Sequence, residues 1–148
     1  MKLFEIATPL EKAGMIPYIH GPDGPIFYFM IPSDSRFGGP QPGIAKGRVD
    51  KGETILAAAF RETKEELGLR LNNIIQNTVQ LAWKGKVEGK KEAYNLTVYI
   101  CEVKNKKDFK KPDHEVDDRV WMTAKEFAKR GRQSQVKIIN AANRLLTR

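Results

Sequence analysis

The chain has 148 residues, of which 41% are hydrophobic and 30% are charged, and this size fits one domain with a core of its own. Its 26 Lys and Arg residues exceed its 18 Asp and Glu residues by 8, so its surface favours anionic partners such as polyphosphates, nucleic acid or acidic lipid. A single cysteine, Cys101, excludes an internal disulfide, and the longest apolar run, Ile26–Ile31, is far shorter than the roughly 20 residues of a membrane span. We therefore expect one domain over residues 1–148, no membrane insertion and a cytoplasmic location.

The first half of the chain predicts two strands, a long loop and a helix. The strands cover Met15–Ile19 and Pro25–Ile31, and the cluster Gly21–Gly24 predicts the turn between them. Residues 32–46 are rich in Gly, Pro and Ser and predict a loop, which at this length is usually functional or disordered. Helical periodicity then runs over Thr54–Leu67 and stops at the glycine that follows.

The second half predicts three more strands and two helices. We expect the strands over Ile74–Trp83, Ala93–Val103 and Arg119–Met122, with basic hairpin tips over 84–92 and 104–111. Thr123 and Glu126 have the spacing of a capping box, which predicts a short helix that stops at Gly131. A final helix is predicted over Gln133–Leu146. This order of elements predicts an α/β fold in which a mixed sheet lies between helices.

The helix over Thr54–Leu67 is predicted to have an apolar stripe and an acidic face. The stripe consists of Leu56, Phe60, Thr63 and Leu67, and the acidic face consists of Glu62, Glu65 and Glu66. Like charges at this spacing repel by roughly a few tenths of a kcal/mol per pair, so a nearby positive charge should offset them. Magnesium fits, because it takes carboxylate, phosphate and water oxygens. A solvated acidic face is the ordinary explanation of such a cluster, but this cluster lies in a basic chain beside a Gly-rich loop.

The segment 47–69 resembles the Nudix box, G-x₅-E-x₇-R-E-U-x-E-E-x-G-U, where U is a bulky aliphatic residue. The positions in register are Gly47, Glu53, Arg61, Glu62, Glu65, Glu66, Gly68 and Leu69. A chance match at the seven fixed positions has odds of about 10⁻⁹ per window. Thr63 departs from the motif at one aliphatic position. We expect Thr63 to stay on the buried stripe, with its hydroxyl bonded to a helical carbonyl.

The resemblance implies a Nudix-like α/β/α sandwich with a mixed β-sheet between helices. It also implies Mg²⁺-dependent hydrolysis of a pyrophosphate bond in a nucleoside-diphosphate-linked substrate by an attacking water, with Mn²⁺ as the alternative metal. The implied metal ligands are the carboxylates of Glu62, Glu65 and Glu66 and a backbone carbonyl near Lys46 or Gly47. One of the three glutamates could instead act as the general base. Arg61 would pair with Glu53 and orient the acidic side chains.

Residues outside the acidic face supply further candidates. Glu115 precedes Trp121 in a stretch that is similar to an acidic loop of many family members, where a glutamate binds metal or acts as the base. A surface charge on a loop explains Glu115 equally well. The cations that could hold the substrate phosphates are Arg36, Lys46, Arg48 and Lys51. For each of them, an ordinary solvated charge is the alternative explanation.

Several substrates remain open from the sequence. The Lys-Gly opening of the box and the region of Glu115 resemble dinucleoside polyphosphate hydrolases most, but ADP-ribose pyrophosphatases, RNA 5′-pyrophosphohydrolases and MutT-type nucleotide hydrolases are alternatives. A non-catalytic nucleic-acid-binding Nudix module is the rival from another class. Two basic runs favour it: Lys84, Lys86, Lys90 and Lys91, and Lys104, Lys106, Lys107, Lys110 and Lys111. Neither run is interleaved with the aromatic residues that stack on single strands, so solvated hairpin tips are the favoured explanation.

Overall fold

The computed structural model describes residues 10–32, 41–89, 91–107, 109 and 116–147. The strands within these residues are β1 (Leu10–Gly21), β2 (Gly24–Pro32), β3 (Lys46–Arg48), β4 (Gln80–Val87), β5 (Tyr94–Glu102) and β6 (Val116–Thr123). The helices are α1 (Ile55–Leu67), α2 (Ala124–Arg130) and α3 (Val136–Leu146), and short 3₁₀ helices cover Leu71–Asn73 and Gln133–Gln135. Among the helices described, none has the length and apolar character that a membrane crossing requires.

The strands form one mixed sheet centred on β1. The order is β4-β5-β1-β2-β6, and β3 also pairs with β1. β1 runs parallel to β5 and antiparallel to β2 and β3. Because β2 pairs with the end of β1 and β3 pairs with its beginning, Gly47 lies directly opposite Ala13. The first residue of the Nudix-like motif is thus paired with the central strand of the sheet.

The helices cover the sheet from both sides. On one face, Ala58 and Ala59 of α1 pack in a buried cluster with Met15 of β1. On the other face, Phe127 of α2 and Ile139 of α3 join the main core cluster. The predicted architecture, a mixed β-sheet between helices, is confirmed.

Helix α1 begins and ends where the sequence predicts. The side chain of Thr54 accepts a hydrogen bond from the Ala57 N–H at 3.1 Å and caps the first turn. Gly68 has φ 78, and its N–H donates to the Lys64 carbonyl at 2.9 Å. A left-handed residue here terminates the helix and satisfies a carbonyl of its last turn. Two local signals therefore fix the bounds of the helix that carries the acidic face.

The predicted apolar stripe of α1 is only partly buried. The buried residues of the helix are Ala58, Ala59, Thr63 and Leu67. Leu56 is 42% exposed, so the prediction that the stripe is buried is wrong at this residue, whereas Phe60 is half-buried and packs against the cluster that contains Met15. The two alanines make the buried contact with β1, since their small side chains let the helix lie close to the strand. The expectation for Thr63 is confirmed, because its buried hydroxyl donates to the Ala59 carbonyl at 2.7 Å.

The prediction of a strand over Ile74–Trp83 is wrong at both ends. Ile74 forms only an isolated bridge with Val103, and Asn77 has a left-handed φ of 66 that interrupts extended backbone. At the other end, β4 continues to Val87, opposite Tyr94, through residues predicted to form a basic tip. An edge strand can carry lysines because its outer side chains remain in solvent.

The start of α2 confirms the predicted capping box. The Thr123 hydroxyl accepts from the Glu126 N–H at 3.2 Å, and the Glu126 carboxylate accepts from the Thr123 N–H at 3.0 Å. Both hydrogen bonds satisfy backbone donors that the first turn of a helix leaves without partners. Gly131 follows the last residue of α2, as expected.

We expect Thr123→Ala to lower the free energy of unfolding by about 1 kcal/mol, because it removes the cap of α2. Urea denaturation of the variant and of the wild type measures this difference. Thr147→Ala, at the exposed end of α3, serves as the control and should change the free energy by less than about 0.5 kcal/mol. Equal effects of the two substitutions would contradict a capping role for Thr123.

Candidate active site

The acidic face of α1 meets the backbone of β3 at Gly47. A Cβ atom built on Gly47 would overlap the carboxylate of Glu62. Only a glycine lets the strand backbone approach this carboxylate so closely. The sequence supplies the glycine and the glutamate at fixed spacing, and the packing of α1 on β1 and β3 brings them together. The result is a half-buried carboxylate lying against the backbone of β3.

Arg61 connects the acidic face to the loop that precedes α1. Its Nε and Nη2 atoms donate to the two carboxylate oxygens of Glu53 at 2.8 and 3.0 Å, which is a bidentate ion pair. Its Nη2 atom also donates to the Arg48 carbonyl at 2.9 Å, and its Nη1 atom donates to Glu62 at 2.8 Å. One guanidinium therefore fixes the end of β3, the loop and one carboxylate of α1 relative to each other. The ion pair that the resemblance implied between Arg61 and Glu53 is present.

The two carboxylates bonded to Arg61 differ in acidity. The hydrogen bonds of Arg61, followed by the Asp50 N–H, lower the pKa of Glu53 to about 2. For Glu62, burial raises the pKa, and this outweighs the opposing effect of Arg61. Glu53 is thus an anion at neutral pH and orients Arg61. Glu62 is a carboxylate whose charged form would gain from a further cation.

The low pKa of Glu53 predicts a pH-dependent contribution to stability. Because folding lowers this pKa from its ordinary 4.5 to about 2, the ion pair contributes fully above pH 4.5. Its contribution is lost as the pH falls toward 2. We therefore expect Glu53→Gln to destabilise the protein at neutral pH and the difference from wild type to shrink between pH 4.5 and 2. Urea denaturation across this range checks the trend, and a difference that stays constant with pH would contradict it.

Glu65 and Glu66 occupy the next turn of the acidic face. The side chain of Glu65 is 48% exposed, with a carboxylate oxygen 3.6 Å from Nη1 of Arg61. Glu66 has one buried carboxylate oxygen. Within the described ranges, no three Asp, Glu, His or Cys side chains are grouped closely enough to hold a metal ion. The Glu62 carboxylate lies against Gly47 and is bonded to Arg61, whereas the Glu65 side chain is turned to solvent, so α1 presents separate oxygen donors rather than a preassembled cluster.

The predicted phosphate-binding cations that the structure describes lie in different surroundings. The ammonium of Lys46 lies 5.6 Å from the ring centroid of Tyr94, which packs in the core cluster on the α3 side of the sheet. Burial, followed by the charges of Lys12 and Arg132, lowers its pKa to about 8. Arg48 is exposed and contributes its carbonyl to the Arg61 site. Lys51 is exposed in the turn before α1. The remaining two predicted site residues, Arg36 and Glu115, lie outside the described residues.

Three residues beside Lys46 were not predicted from the sequence. Lys12 lies on β1, Tyr94 begins β5, and Arg132 follows α2. Lys12 precedes the strand that the sequence predicts over Met15–Ile19, so nothing in the sequence indicated that it belongs to the sheet. No sequence motif connects the three positions. They come together only through the pairing of the strands and the packing of α2.

Residues 15–142 match the family model of the NUDIX domain. The chain belongs to the Nudix family. Family membership makes it a Nudix-type pyrophosphohydrolase, and Nudix enzymes generally use divalent metal ions. The predicted family and the predicted class of enzyme are confirmed. The match also covers all of α1 and β3, which carry the acidic face and Gly47.

Solved Nudix structures share the fold at low sequence identity. An Ap4A hydrolase binary complex from C. elegans has a TM-score of 0.75 and 21% identity, with 93% of this chain and 97% of that chain covered. The NUDIX domain of Shewanella oneidensis NrtR, complexed with ADP ribose, has a TM-score of 0.78 and 11% identity over 99% and 94%. The Nudix hydrolase RenU from M. smegmatis has a TM-score of 0.73 and 15% identity over 93% and 88%. No curated protein sequence matches the chain.

Proposed function

We propose that this Nudix enzyme hydrolyses a pyrophosphate bond in a nucleoside-diphosphate-linked substrate, with a dinucleoside polyphosphate as the first candidate. The observation that carries the proposal is the Glu62 carboxylate, which lies against Gly47 and is bonded to Arg61 at 2.8 Å. Similarity in fold to an Ap4A hydrolase supports the first candidate, and similarity to a domain complexed with ADP ribose keeps ADP-ribose as an alternative. The cytoplasmic location stays a prediction.

The residues of the acidic face fit Mg²⁺, with Mn²⁺ as the alternative. The donors are the carboxylates of Glu62, Glu65 and Glu66 and the backbone carbonyl of Gly47, all of them hard oxygen ligands. The missing Cβ of Gly47 is part of this fit, since that atom would take the place of the Glu62 carboxylate. When bound, the metal would neutralise phosphate charge and lower the pKa of the attacking water.

The protein's own groups supply orientation and proton transfer. Arg61 holds Glu62 and Glu53 in place, so the carboxylate beside Gly47 has a fixed direction. A carboxylate oxygen of Glu62 or Glu65 accepts the proton of the attacking water. The charges of Glu66 and Glu62 act on Lys46, and its ammonium would bind a substrate phosphate. Roles for Arg36, Arg48, Lys51 and Glu115 stay predictions.

Glu62 and Glu65 can be distinguished by kinetics. In Glu62→Gln and Glu65→Gln, loss of a metal ligand raises the concentration of Mg²⁺ needed for half-maximal activity. Loss of the base instead lowers kcat at saturating Mg²⁺ and removes the acidic limb of the pH profile of kcat. Measuring both quantities in both variants assigns the two roles.

A substrate panel tests the proposed function. Purified protein is incubated with Mg²⁺ and a dinucleoside tetraphosphate, ADP-ribose, a nucleoside triphosphate or 5′-triphosphorylated RNA. We expect Mg²⁺-dependent turnover that is highest for the dinucleoside tetraphosphate and is abolished by EDTA. Turnover of none of these compounds would overturn the proposal. Salt-sensitive RNA binding without turnover, unchanged in Glu65→Gln, would support the nucleic-acid-binding alternative instead.

A further inference from the structure

One buried side chain at the start of α3 holds the residues that lead into β3. Gln135 ends the 3₁₀ helix before α3 and is only 5% exposed. Its Oε1 atom accepts a hydrogen bond from the Ile44 N–H at 2.8 Å, although the two residues are 91 positions apart in the sequence. Ile44 is also buried and belongs to the core cluster that contains Ile139 of α3. A buried tertiary hydrogen bond therefore connects the chain before β3 to the helices on the face opposite α1.

The residue before Ile44 is held as well. Gly43 exchanges two backbone hydrogen bonds with Met30 of β2, at 2.9 and 3.0 Å. A Cβ atom built on Gly43 would lie 3.2 Å from Oε1 of Gln135, so the glutamine side chain packs closely on this backbone. Strand β2 and Gln135 thus hold adjacent residues of the segment 42–44. We call this segment the anchored segment.

The anchored segment continues directly into the part of β3 that meets the acidic face. Gly47 lies three residues after Ile44, which is about 10 Å of extended chain. Ala45, between them, is fully buried. Strand β3 has only three residues and pairs with β1 alone, so much of its support comes from the chain that precedes it. A shift of the anchored segment would therefore move Gly47 against the Glu62 carboxylate, where the structure leaves no room for even a Cβ atom.

We propose that Gln135 is a positioning residue for the metal site: by holding Ile44, it fixes the backbone of Gly47 relative to the carboxylate of Glu62. This inference rests on the proposed function, in which Gly47 and Glu62 supply oxygen ligands to the metal. The amide oxygen of Gln135 satisfies a backbone N–H that would otherwise be buried without a partner. Without that oxygen, the Ile44 N–H must find another acceptor, and the anchored segment moves with it.

Binding of Mn²⁺ in the absence of substrate tests the role of Gln135. Gln135→Met keeps a side chain of similar length but removes the acceptor oxygen. We expect the Kd for Mn²⁺ to rise about tenfold, the lower end of the loss seen when the support of a metal ligand is removed. The electron paramagnetic resonance signal of free Mn²⁺ measures this Kd. Gln135→Glu keeps an acceptor oxygen at the same position along the side chain and should restore most of the affinity.

Two further measurements separate positioning from a general loss of stability. Amide hydrogen exchange, followed by NMR, should become faster at Ile44 and Gly47 in Gln135→Met, because the chain there opens locally. Thr78→Val is the matched control, since the Thr78 hydroxyl also accepts from a backbone N–H, that of Glu102 at 3.0 Å. This control removes a comparable hydrogen bond before β4 and should leave the Kd for Mn²⁺ within about twofold of wild type.

The outcomes also separate this inference from the proposed function. Equal rises of the Kd in Gln135→Met and Thr78→Val, or wild-type affinity in Gln135→Met, would overturn the role of Gln135 even in an active enzyme. If Gln135→Met does not fold, Gly43→Ala decides, because its methyl group presses on Oε1 of Gln135 and should weaken Mn²⁺ binding in the same direction. Wild-type affinity in that variant would then overturn the inference.

Selective loss of Mn²⁺ affinity in a protein that hydrolyses nothing in the panel would contradict only the proposed function. Absence of Mn²⁺ binding to the wild type would overturn the metal site and, with it, the role of Gln135.

Discussion

Glu65→Gln and Glu66→Gln are each expected to lower the kcat of Mg²⁺-dependent hydrolysis by about 10²–10⁴-fold, the range typical of a lost catalytic carboxylate. The amide keeps the shape of the side chain but removes the negative charge that would hold the metal. Folding should change little in Glu65→Gln, because this side chain is 48% exposed. The expected fall in kcat is therefore an effect on the reaction and not on folding. Initial rates at saturating substrate, with the Mg²⁺ concentration varied, measure it.

The control for this prediction is Glu88→Gln. Glu88 is an exposed glutamate just after β4, on a different part of the sheet. Its substitution removes one negative charge from the chain, as the α1 substitutions do, and should leave kcat within about twofold of wild type because it affects only the surface. Wild-type rates in both α1 variants would show that these carboxylates take no part in the reaction, and the proposed metal site would have to be abandoned.

The parts of the fold that the sequence predicts well are those with local causes. The bounds of α1 depend on Thr54 and Gly68, and the start of α2 depends on Thr123; each acts within about one helical turn. The strand β3 was missed because it has three residues and exists only through its pairing with β1. The strand predicted at Ile74 was wrong because an apolar run is also compatible with a turn that packs on the sheet.

The active site likewise has parts with local causes and parts that depend on the tertiary structure. Glu53, Arg61 and Glu62 lie within one continuous motif, so their ion pairs could be expected from spacing and resemblance. The positions of Lys12 and Arg132 beside Lys46 could not be expected, because these two residues come from opposite ends of the chain. Only the parallel pairing of β1 with β5 and the packing of α2 bring them to one place. Local sequence determined the carboxylates, and tertiary structure determined the cations.

Gly47→Ala should be the most informative substitution in the sheet. The added methyl group would overlap the Glu62 carboxylate, which Arg61 holds in place. We expect the free energy of unfolding to fall by about 1–3 kcal/mol, the usual cost of inserting one carbon into a packed site. We also expect the affinity for Mg²⁺ to fall by about 10–100-fold, as when the support of a metal ligand is disturbed. Urea denaturation measures the first effect, and Mg²⁺ titration of activity measures the second.

A double-mutant cycle shows whether the cause is this contact. Glu62→Ala removes the carboxylate that the new methyl group meets, so adding Gly47→Ala to it should cost much less stability than Gly47→Ala costs alone. Catalysis should not return in the double variant, because the carboxylate itself is absent. If Gly47→Ala is equally destabilising in both backgrounds, the clash lies elsewhere and the close approach of strand and carboxylate does not explain the glycine. Recovery of stability without recovery of activity would show that Gly47 is required to make room for Glu62, the carboxylate through which β3 and α1 form one site.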